Sequence, residues 1–192
     1  VYRGELQTRG LGLSVEVWND KGESVIDQKG ELVCTKTFPS KPTGFWNDND
    51  GEKYRQSYFD HYPNVWRHGD FVSLNLNGGM VFYGRSDTTL NRGGVRIGTA
   101  EIYRQVEKLT EVLESIVVEQ NWQDDIRVVL FVKLKDSLQL DDDLKQTIVT
   151  QIRSNTSPRH LPDVIIQVSD IPKTKSGKIV ELAVQKAIHN LP

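Results

Sequence analysis

The first half of the chain alternates apolar and polar positions in short runs that glycine and turn residues separate. Residues 11–25 (LGLSVEVWNDKGESV) predict a strand, a turn and a second strand, and residues 30–38 (GELVCTKTF) predict another strand. Residues 69–85 (GDFVSLNLNGGMVFYGR) keep the alternation on both sides of an Asn-Gly-Gly turn, which predicts a β-hairpin. An aromatic-rich segment between them, with Trp46, Tyr54, Tyr58 and Phe59, is expected to pack a helix on this β structure.

The apolar period becomes helical after residue 98. Residues 99–109 place Ile102, Val106 and Leu109 on one face, with Thr99 as the expected N-cap. Further helices are predicted over residues 141–155 and 179–190. The first of these begins with Asp141, Asp142 and Asp143, where the helix dipole favours acidic side chains.

Three strands are predicted among these helices, over residues 113–120, 127–134 and 163–172. The order α-β-β-α-β-α predicts a compact layered arrangement. The expected fold class is α+β: a β-rich part over residues 1–86, then a small α+β domain over residues 87–192 with a three-stranded sheet and flanking helices. The polar, glycine-rich segment between the halves is interpreted as a linker or a functional loop.

Composition narrows the possible partners of this chain of 192 residues. Its formal net charge of -2 gives no general electrostatic reason to bind nucleic acid or an anionic membrane. Cys34 is the only cysteine, so no intrachain disulfide can form, and a reducing compartment, the cytoplasm, is expected. The four histidines lack the spacing of metal ligands, and no protein-bound transition metal is predicted.

The chemistry-bearing segments are RHGD (67–70), GRSDTTLNRGGVRIGTAEI (84–102) and IPKTKSGKI (171–179). The last ends in a Gly-Lys pair, but Pro172 replaces the first glycine of a phosphate-binding P-loop and Ile179 replaces its Ser or Thr. Alone, each segment also fits an ordinary explanation, such as a turn aspartate or an exposed lysine.

Together and in this order, the three segments resemble the adenylate-forming acyl-CoA synthetases, the superfamily that includes luciferases and the adenylation domains of peptide synthetases. The resemblance covers essentially the whole chain, and GFWND, SPRHLPD and SGKIVELAVQ narrow it to one short-chain branch. It implies an enzyme that joins a carboxylate to ATP, releases pyrophosphate and transfers the acyl group to coenzyme A. Mg²⁺ is expected to arrive with ATP.

The resemblance implies roles in adenylation for four residues. Asp70 would accept hydrogen bonds from the ribose diol, Arg85 would contact the same sugar, and Arg96 would approach nucleotide phosphate. Lys178 would bridge the acyl carboxylate and the α-phosphate from a mobile C-terminal domain. Gly177 is expected to let the lysine loop approach the nucleotide closely.

The resemblance also implies a rotation between the two reactions. Asp87 would be the hinge, and Gly94 would line the tunnel for the pantetheine arm of coenzyme A. Arg153 and Arg159 are candidates for coenzyme A phosphates, although Arg153 also lies on a helix expected to pack on the sheet.

The phosphate loop and most of the acid and adenine pockets of this family do not occur in the sequence. The chain is therefore expected to be the last subdomain of a large N-terminal domain followed by the mobile C-terminal domain. The rest of its own chain would be its partner, and the 192 residues alone would be inactive. The alternatives are another short-chain synthetase, such as one for acetate, or a non-catalytic binding or scaffold module. No oligomeric state is predicted.

Overall fold

The computed structural model describes residues 2–123 and 125–191, and the chain forms two compact units, Val1–Ser86 and Asp87–Pro192. Each unit has its own hydrophobic core among the described residues. That the first unit ends a larger domain, and that the second is a mobile domain carrying a catalytic lysine, stay predictions.

The first unit is built on an antiparallel sheet in which each strand pairs with the next along the chain. The predicted hairpin is confirmed, with Asp70 paired to Arg85 and Leu74 to Met80. The strands are β1 (Val15–Trp18), β2 (Lys29–Cys34), β3 (Trp66–Leu74) and β4 (Met80–Arg85).

The predicted strand-turn-strand over residues 11–25 is only half correct. The turn forms because the Asn19 side chain accepts hydrogen bonds from the N–H groups of Lys21 and Glu23, both at 3.0 Å. The returning chain makes only an isolated bridge with Trp18 and then turns away at Asp27, whose φ is 56°. The partner of β1 is therefore β2.

The predicted aromatic helix is α1 (Glu52–Tyr58), which covers one face of the sheet. Tyr58 stacks on Trp66 of β3, with ring centroids 3.7 Å apart, and Tyr54 and Phe59 also contact Trp66. The expectation for Trp46 is wrong, because its side chain is 91% exposed. The neighbouring residue Phe45 contacts Tyr54 and Tyr58 instead.

The second unit has the predicted order α-β-β-α-β-α, and its three-stranded sheet is confirmed. The middle strand pairs antiparallel with the first and parallel with the last. Before these elements, the segment interpreted as a linker or loop forms a small antiparallel hairpin. The elements are β5 (Leu90–Arg92), β6 (Val95–Ile97), α2 (Thr99–Val106), β7 (Val112–Trp122), β8 (Asp125–Leu134), α3 (Asp142–Asn155), β9 (Val164–Gln167) and α4 (Glu181–Ile188).

Both faces of the sheet in the second unit are buried. One face, with Val117 and Leu130, packs on Ile102 of α2 and on Ile148 and Ile152 of α3. On the opposite face, a second cluster joins strand side chains to α4 and to the segment before it; it comprises Ile116, Val118, Val129, Ile171, Val184 and Ile188.

Capping fixes the beginnings of two helices. Asp141 caps α3, since its side chain accepts a hydrogen bond from the N–H of Leu144 at 2.8 Å, as its acidic start predicts. The expectation that Thr99 caps α2 is wrong. Gly98 is the N-cap, its N–H donates to the Glu101 side chain at 3.1 Å, and Thr99 is buried inside the first turn.

Among the helices that the structure describes, none has the length and apolar composition needed to cross a membrane. The described side chains also contain no group of three or more His, Cys, Asp or Glu that could hold a metal ion.

Gly30 provides a test of the packing between β1 and β2. A Cβ at Gly30 would lie 2.3 Å from the carbonyl oxygen of Trp18, whereas a Cβ at Gly44 would meet no atom within 4 Å. We expect Gly30→Ala to lower the free energy of unfolding by about 1–3 kcal/mol through overpacking. Gly44→Ala should leave it unchanged or slightly higher. Urea unfolding of the 192-residue chain measures both, and equal stability of the two variants would contradict the packing described.

Candidate functional site

The structure brings Asp70 and Arg85, two of the predicted site residues, together on neighbouring strands. They are directly opposite each other on β3 and β4, and Arg85 Nη1 lies 3.4 Å from Asp70 Oδ1. The same nitrogen donates to the carbonyl oxygen of His68 at 3.3 Å. On the other side, His68 Nδ1 lies 2.6 Å from Asp70 Oδ2. We call His68, Asp70 and Arg85 the β3–β4 cluster.

Gly69 allows the β3–β4 cluster to form. Its φ is 84°, and a Cβ there would lie 2.5 Å from Nη2 of Arg85, so a side chain would displace the guanidinium. The N–H of Gly69 donates to Oε1 of the buried Glu31 at 3.0 Å, and this hydrogen bond fixes the orientation of the peptide group between His68 and Gly69. The sequence motif predicted Asp70 and Arg85 as site residues, but it did not indicate that Arg85 needs a residue without a side chain at position 69.

The β3–β4 cluster can accept hydrogen bonds from a polar ligand. The Asp70 side chain is only 16% exposed, yet an ionised carboxylate offers about four lone-pair directions. His68 and Arg85 engage one oxygen each, so directions remain for a diol. Sequence reasoning considered His68 only as a metal ligand and missed its contact with the carboxylate.

Arg96 and Gly94 lie in the small hairpin of the second unit. Arg96 pairs with Asn91, and its Nε donates to Oγ1 of Thr89 at 3.3 Å. Gly93 and Gly94 connect the strands with φ of 58° and 75°, the combination that a two-residue type I′ turn requires. Turn geometry therefore explains Gly94, and its role toward coenzyme A stays a prediction.

Lys178 lies at the end of a tight hairpin loop. The N–H of Thr174 donates to the carbonyl oxygen of Lys178 at 2.8 Å, and the N–H of Gly177 donates to that of Thr174 at 2.9 Å. The N–H of Lys178 donates to Thr174 Oγ1 at 3.1 Å. Gly177 has a φ of 83°, the left-handed position of a three-residue hairpin loop, and a Cβ there would meet nothing within 4 Å. We call residues 173–179 the lysine hairpin; its Lys178 side chain is exposed.

Side chains tether both ends of the lysine hairpin. At its start, Lys173 Nζ forms an ion pair with Glu114 of β7. Just beyond its end, Glu181 accepts hydrogen bonds from Thr88 Oγ1, at 2.6 Å, and from the hydroxyl of Tyr103. We call Thr88, Tyr103 and Glu181 the Glu181 cluster. Sequence reasoning missed these residues, since no local pattern joins positions so far apart in the chain.

The remaining predicted residues lie at the surface or at the unit boundary. Arg153 is in the last turn of α3, and Arg159 is in a 3-10 turn, Pro158–His160. Both are exposed, and their side chains form no hydrogen bond or ion pair with the described residues. Asp87 lies in another 3-10 turn, Ser86–Thr88, at the boundary between the two units.

Comparison with known proteins identifies a family model for the second unit. Residues 104–178 match the AMP-binding enzyme C-terminal domain. The chain is 59% identical over 192 residues to the acetoacetyl-coenzyme A synthetase of Rhizobium meliloti (strain 1021), a match that covers 100% of this chain but 30% of that protein. The acetoacetyl-CoA synthetase of Xenopus tropicalis is 49% identical over 190 residues, with coverage of 98% and 28%. The chain thus spans under a third of these relatives.

Solved structures of related enzymes also match this chain over nearly its whole length. The acetoacetyl-CoA synthetase of Streptomyces lividans matches with a TM-score of 0.93 and 45% identity, covering 100% of this chain and 29% of that one. A benzoate CoA ligase from Burkholderia xenovorans LB400 matches with a TM-score of 0.80 and 26% identity, covering 96% and 36%.

Residues 104–178 therefore match the C-terminal domain of AMP-binding enzymes, and the resemblance to the adenylate-forming enzymes drawn from the sequence is confirmed. The relatives at 59% and 49% identity are both acetoacetyl-CoA synthetases, and the chain is similar to part of each of them over essentially its full length.

The left-handed conformation of Gly177 gives a test of the lysine hairpin. Gly177→Ala should cost about 1–2 kcal/mol locally, because an alanine is strained at positive φ. We expect the amide of Lys178 to exchange with solvent about 5- to 30-fold faster, as measured by hydrogen exchange and NMR. Gly177→Asn should have a smaller effect, since asparagine tolerates this conformation. Equal exchange in the three proteins would exclude the described hairpin.

Proposed function

We propose that the chain is the C-terminal portion of an AMP-forming acid–thiol ligase. Acetoacetate and ATP, supplied with Mg²⁺, would give acetoacetyl-AMP and pyrophosphate. Acetoacetyl-AMP and coenzyme A would then give acetoacetyl-CoA and AMP. The observation that carries the proposal is the 59% identity over 192 residues to an acetoacetyl-coenzyme A synthetase, since the matched span of this chain includes Asp70, Arg85, Arg96 and Lys178.

The β3–β4 cluster would hold the nucleotide sugar in the first reaction. Asp70 would accept hydrogen bonds from the two ribose hydroxyls, a task that suits a carboxylate whose partners leave lone pairs available. Arg85, opposite Asp70 and half exposed, would contact the same sugar. The lack of a side chain at Gly69 supports this role, because a Cβ there would lie 2.5 Å from Nη2 of Arg85 and would displace the guanidinium from the carboxylate.

Lys178 and Arg96 would act on the reacting groups. Attack by the acid on the α-phosphorus increases negative charge on the phosphate oxygens, and positioned cations stabilise that charge in a site that excludes water. Lys178 would bridge the acyl carboxylate and the α-phosphate, and Arg96 would approach the phosphate. The exposed side chain of Lys178, on a hairpin with ordered hydrogen bonds, supports delivery of a point charge to a ligand bound elsewhere.

Thioester formation would use a second orientation of the C-terminal domain. Asp87 would be the hinge, and its position in a single 3-10 turn supports this role, since hinge motions concentrate at element ends. Gly94 would line the pantetheine tunnel, and the exposed Arg153 and Arg159 would contact coenzyme A phosphates.

The expected partners are small molecules and the rest of the same polypeptide. A net charge of -2 gives no support for a nucleic acid or membrane partner. The single cysteine, Cys34, supports a reducing location, for which we propose the cytoplasm.

Acid-dependent ATP–pyrophosphate exchange tests the proposed function. The longest chain that the gene encodes should catalyse exchange, with acetoacetate more effective than acetate, propionate or butyrate. The 192-residue chain should show none, since it spans under a third of its relatives. Exchange led by acetate would refute the proposed substrate, and no exchange with any acid would favour a non-catalytic module. Steady exchange by the 192-residue chain, free of longer protein, would contradict its expected inactivity.

Lys178→Ala tests the division of the reaction into two conformations. In the full-length enzyme it should reduce adenylation by orders of magnitude, because the bridging charge is lost. Thioester formation from supplied acetoacetyl-AMP should stay within about twofold of the unmodified enzyme. Lys175→Ala, in the same hairpin and also exposed, is the matched control and should leave both reactions unchanged. Equal loss of both reactions in Lys178→Ala would contradict the proposed roles.

A further inference from the structure

Glu181 connects two segments that the proposed mechanism treats separately. It is the first residue of α4 and lies three positions after Lys178. Its Oε2 accepts a hydrogen bond from Thr88 Oγ1 at 2.6 Å, and Thr88 is the residue after the proposed hinge, Asp87. The carboxylate thus joins the chain just beyond the hinge to the helix that follows the lysine hairpin.

Tyr103 fixes the other oxygen of the same carboxylate. The tyrosine hydroxyl donates to Glu181 Oε1 and accepts a hydrogen bond from the N–H of Val117, in the middle of β7, at 3.2 Å. Burial, and then the negative charge of Glu181, raise the pKa of Tyr103 well above its usual value, so the hydroxyl stays a donor at neutral pH. Glu181 is therefore attached to the buried sheet as well as to Thr88.

Glu181 has more partners than the start of a helix requires. An acidic side chain in the first turn already gains from the helix dipole while exposed to solvent. In contrast, both carboxylate oxygens of the partly buried Glu181 accept hydrogen bonds, from residues 93 and 78 positions away in sequence. Such long-range contacts fix the position of the polypeptide. They also reduce the conformational entropy of the Glu181 side chain, which an interaction with the helix dipole alone does not require.

We propose that Glu181 is a positioning residue for adenylation: it fixes the end of the lysine hairpin to Thr88, beside the hinge, so that the hinge orientation determines where Lys178 lies. The inference rests on the proposed function. Glu181 itself would touch neither substrate nor nucleotide, and would act only through Lys178. Lys173 and Glu114 hold the opposite end of the same hairpin.

Glu181→Ala in the full-length enzyme tests this role. Adenylation, measured as acetoacetate-dependent ATP–pyrophosphate exchange, should fall at least tenfold in kcat. Thioester formation from supplied acetoacetyl-AMP should stay within about twofold. Glu181→Gln should recover most of the loss, because its amide can still accept from Tyr103 and can donate to Thr88. Asp142→Ala removes a carboxylate whose side chain is 98% exposed in the same unit, and should change neither reaction.

A double variant distinguishes positioning from a general structural effect. If Glu181 acts only through Lys178, then Lys178→Ala with Glu181→Ala should be no slower in adenylation than Lys178→Ala alone, within about twofold. Thr88→Val, which removes one donor and keeps the side-chain shape, should reduce adenylation in the same direction by a smaller factor. It also provides the test if Glu181→Ala fails to fold.

The outcomes separate this inference from the proposed function. Unmodified enzyme that exchanges with no acid would refute the proposed function, and the inference with it. Active enzyme with unchanged adenylation in Glu181→Ala would overturn the inference alone. Equal loss of both reactions, a lower melting temperature and no recovery in Glu181→Gln would likewise overturn it, since these results describe a purely structural residue.

Discussion

The second unit depends on burying both faces of the β7–β8 pair. Val117 and Leu130 face one way, toward α2 and α3, whereas Val118 and Val129 face the other way, toward α4. Each such side chain contributes about 1.5–3 kcal/mol to the free energy of folding when it is fully buried. The sheet therefore needs helices on both faces. Because α3 occupies one face, the chain that leaves β9 has to reach the opposite face before α4 begins, and Ile171 is buried against that face on the way.

The position of the lysine hairpin follows from this crossing. The hairpin lies between buried Ile171 and α4, both of which pack on the sheet, so its ends are fixed while its tip faces solvent. Lys173 with Glu114 and Glu181 with Tyr103 add polar tethers at the two ends. Because both ends of the hairpin are fixed, flexibility of the loop changes the position of the Lys178 ammonium little. Such an arrangement suits a lysine that a moving domain would carry to its ligand.

Local pattern predicted the second unit well because its helices show a regular apolar face and the middle strand of its sheet is apolar on both faces. The apolar run of β8 and the register of Ile148 and Ile152 in α3 contained that information. The hairpin at Gly93–Gly94 was missed because its strands have only three residues each. Family motifs predicted Asp70 and Arg85 as site residues, but the space that Gly69 leaves for Arg85 depends on a left-handed φ and on strand register, which the residue types do not reveal. The Glu181 cluster joins distant positions and is found only in three dimensions.

The separation of the hydrophobic cores gives the proposed rotation a physical basis. Among the described residues, the core around Val17 and Val72 contains only first-unit side chains, and the cores on the two faces of β7–β8 contain only second-unit side chains. A change of backbone dihedral angles at Asp87 would therefore leave each of these cores intact. The Glu181 cluster also lies within the second unit, so it would turn with Lys178. Under this mechanism, the segment just beyond the hinge and the lysine hairpin move as one body, because the partly buried Tyr103 and Thr88, beside the hinge, both donate to the carboxylate of Glu181.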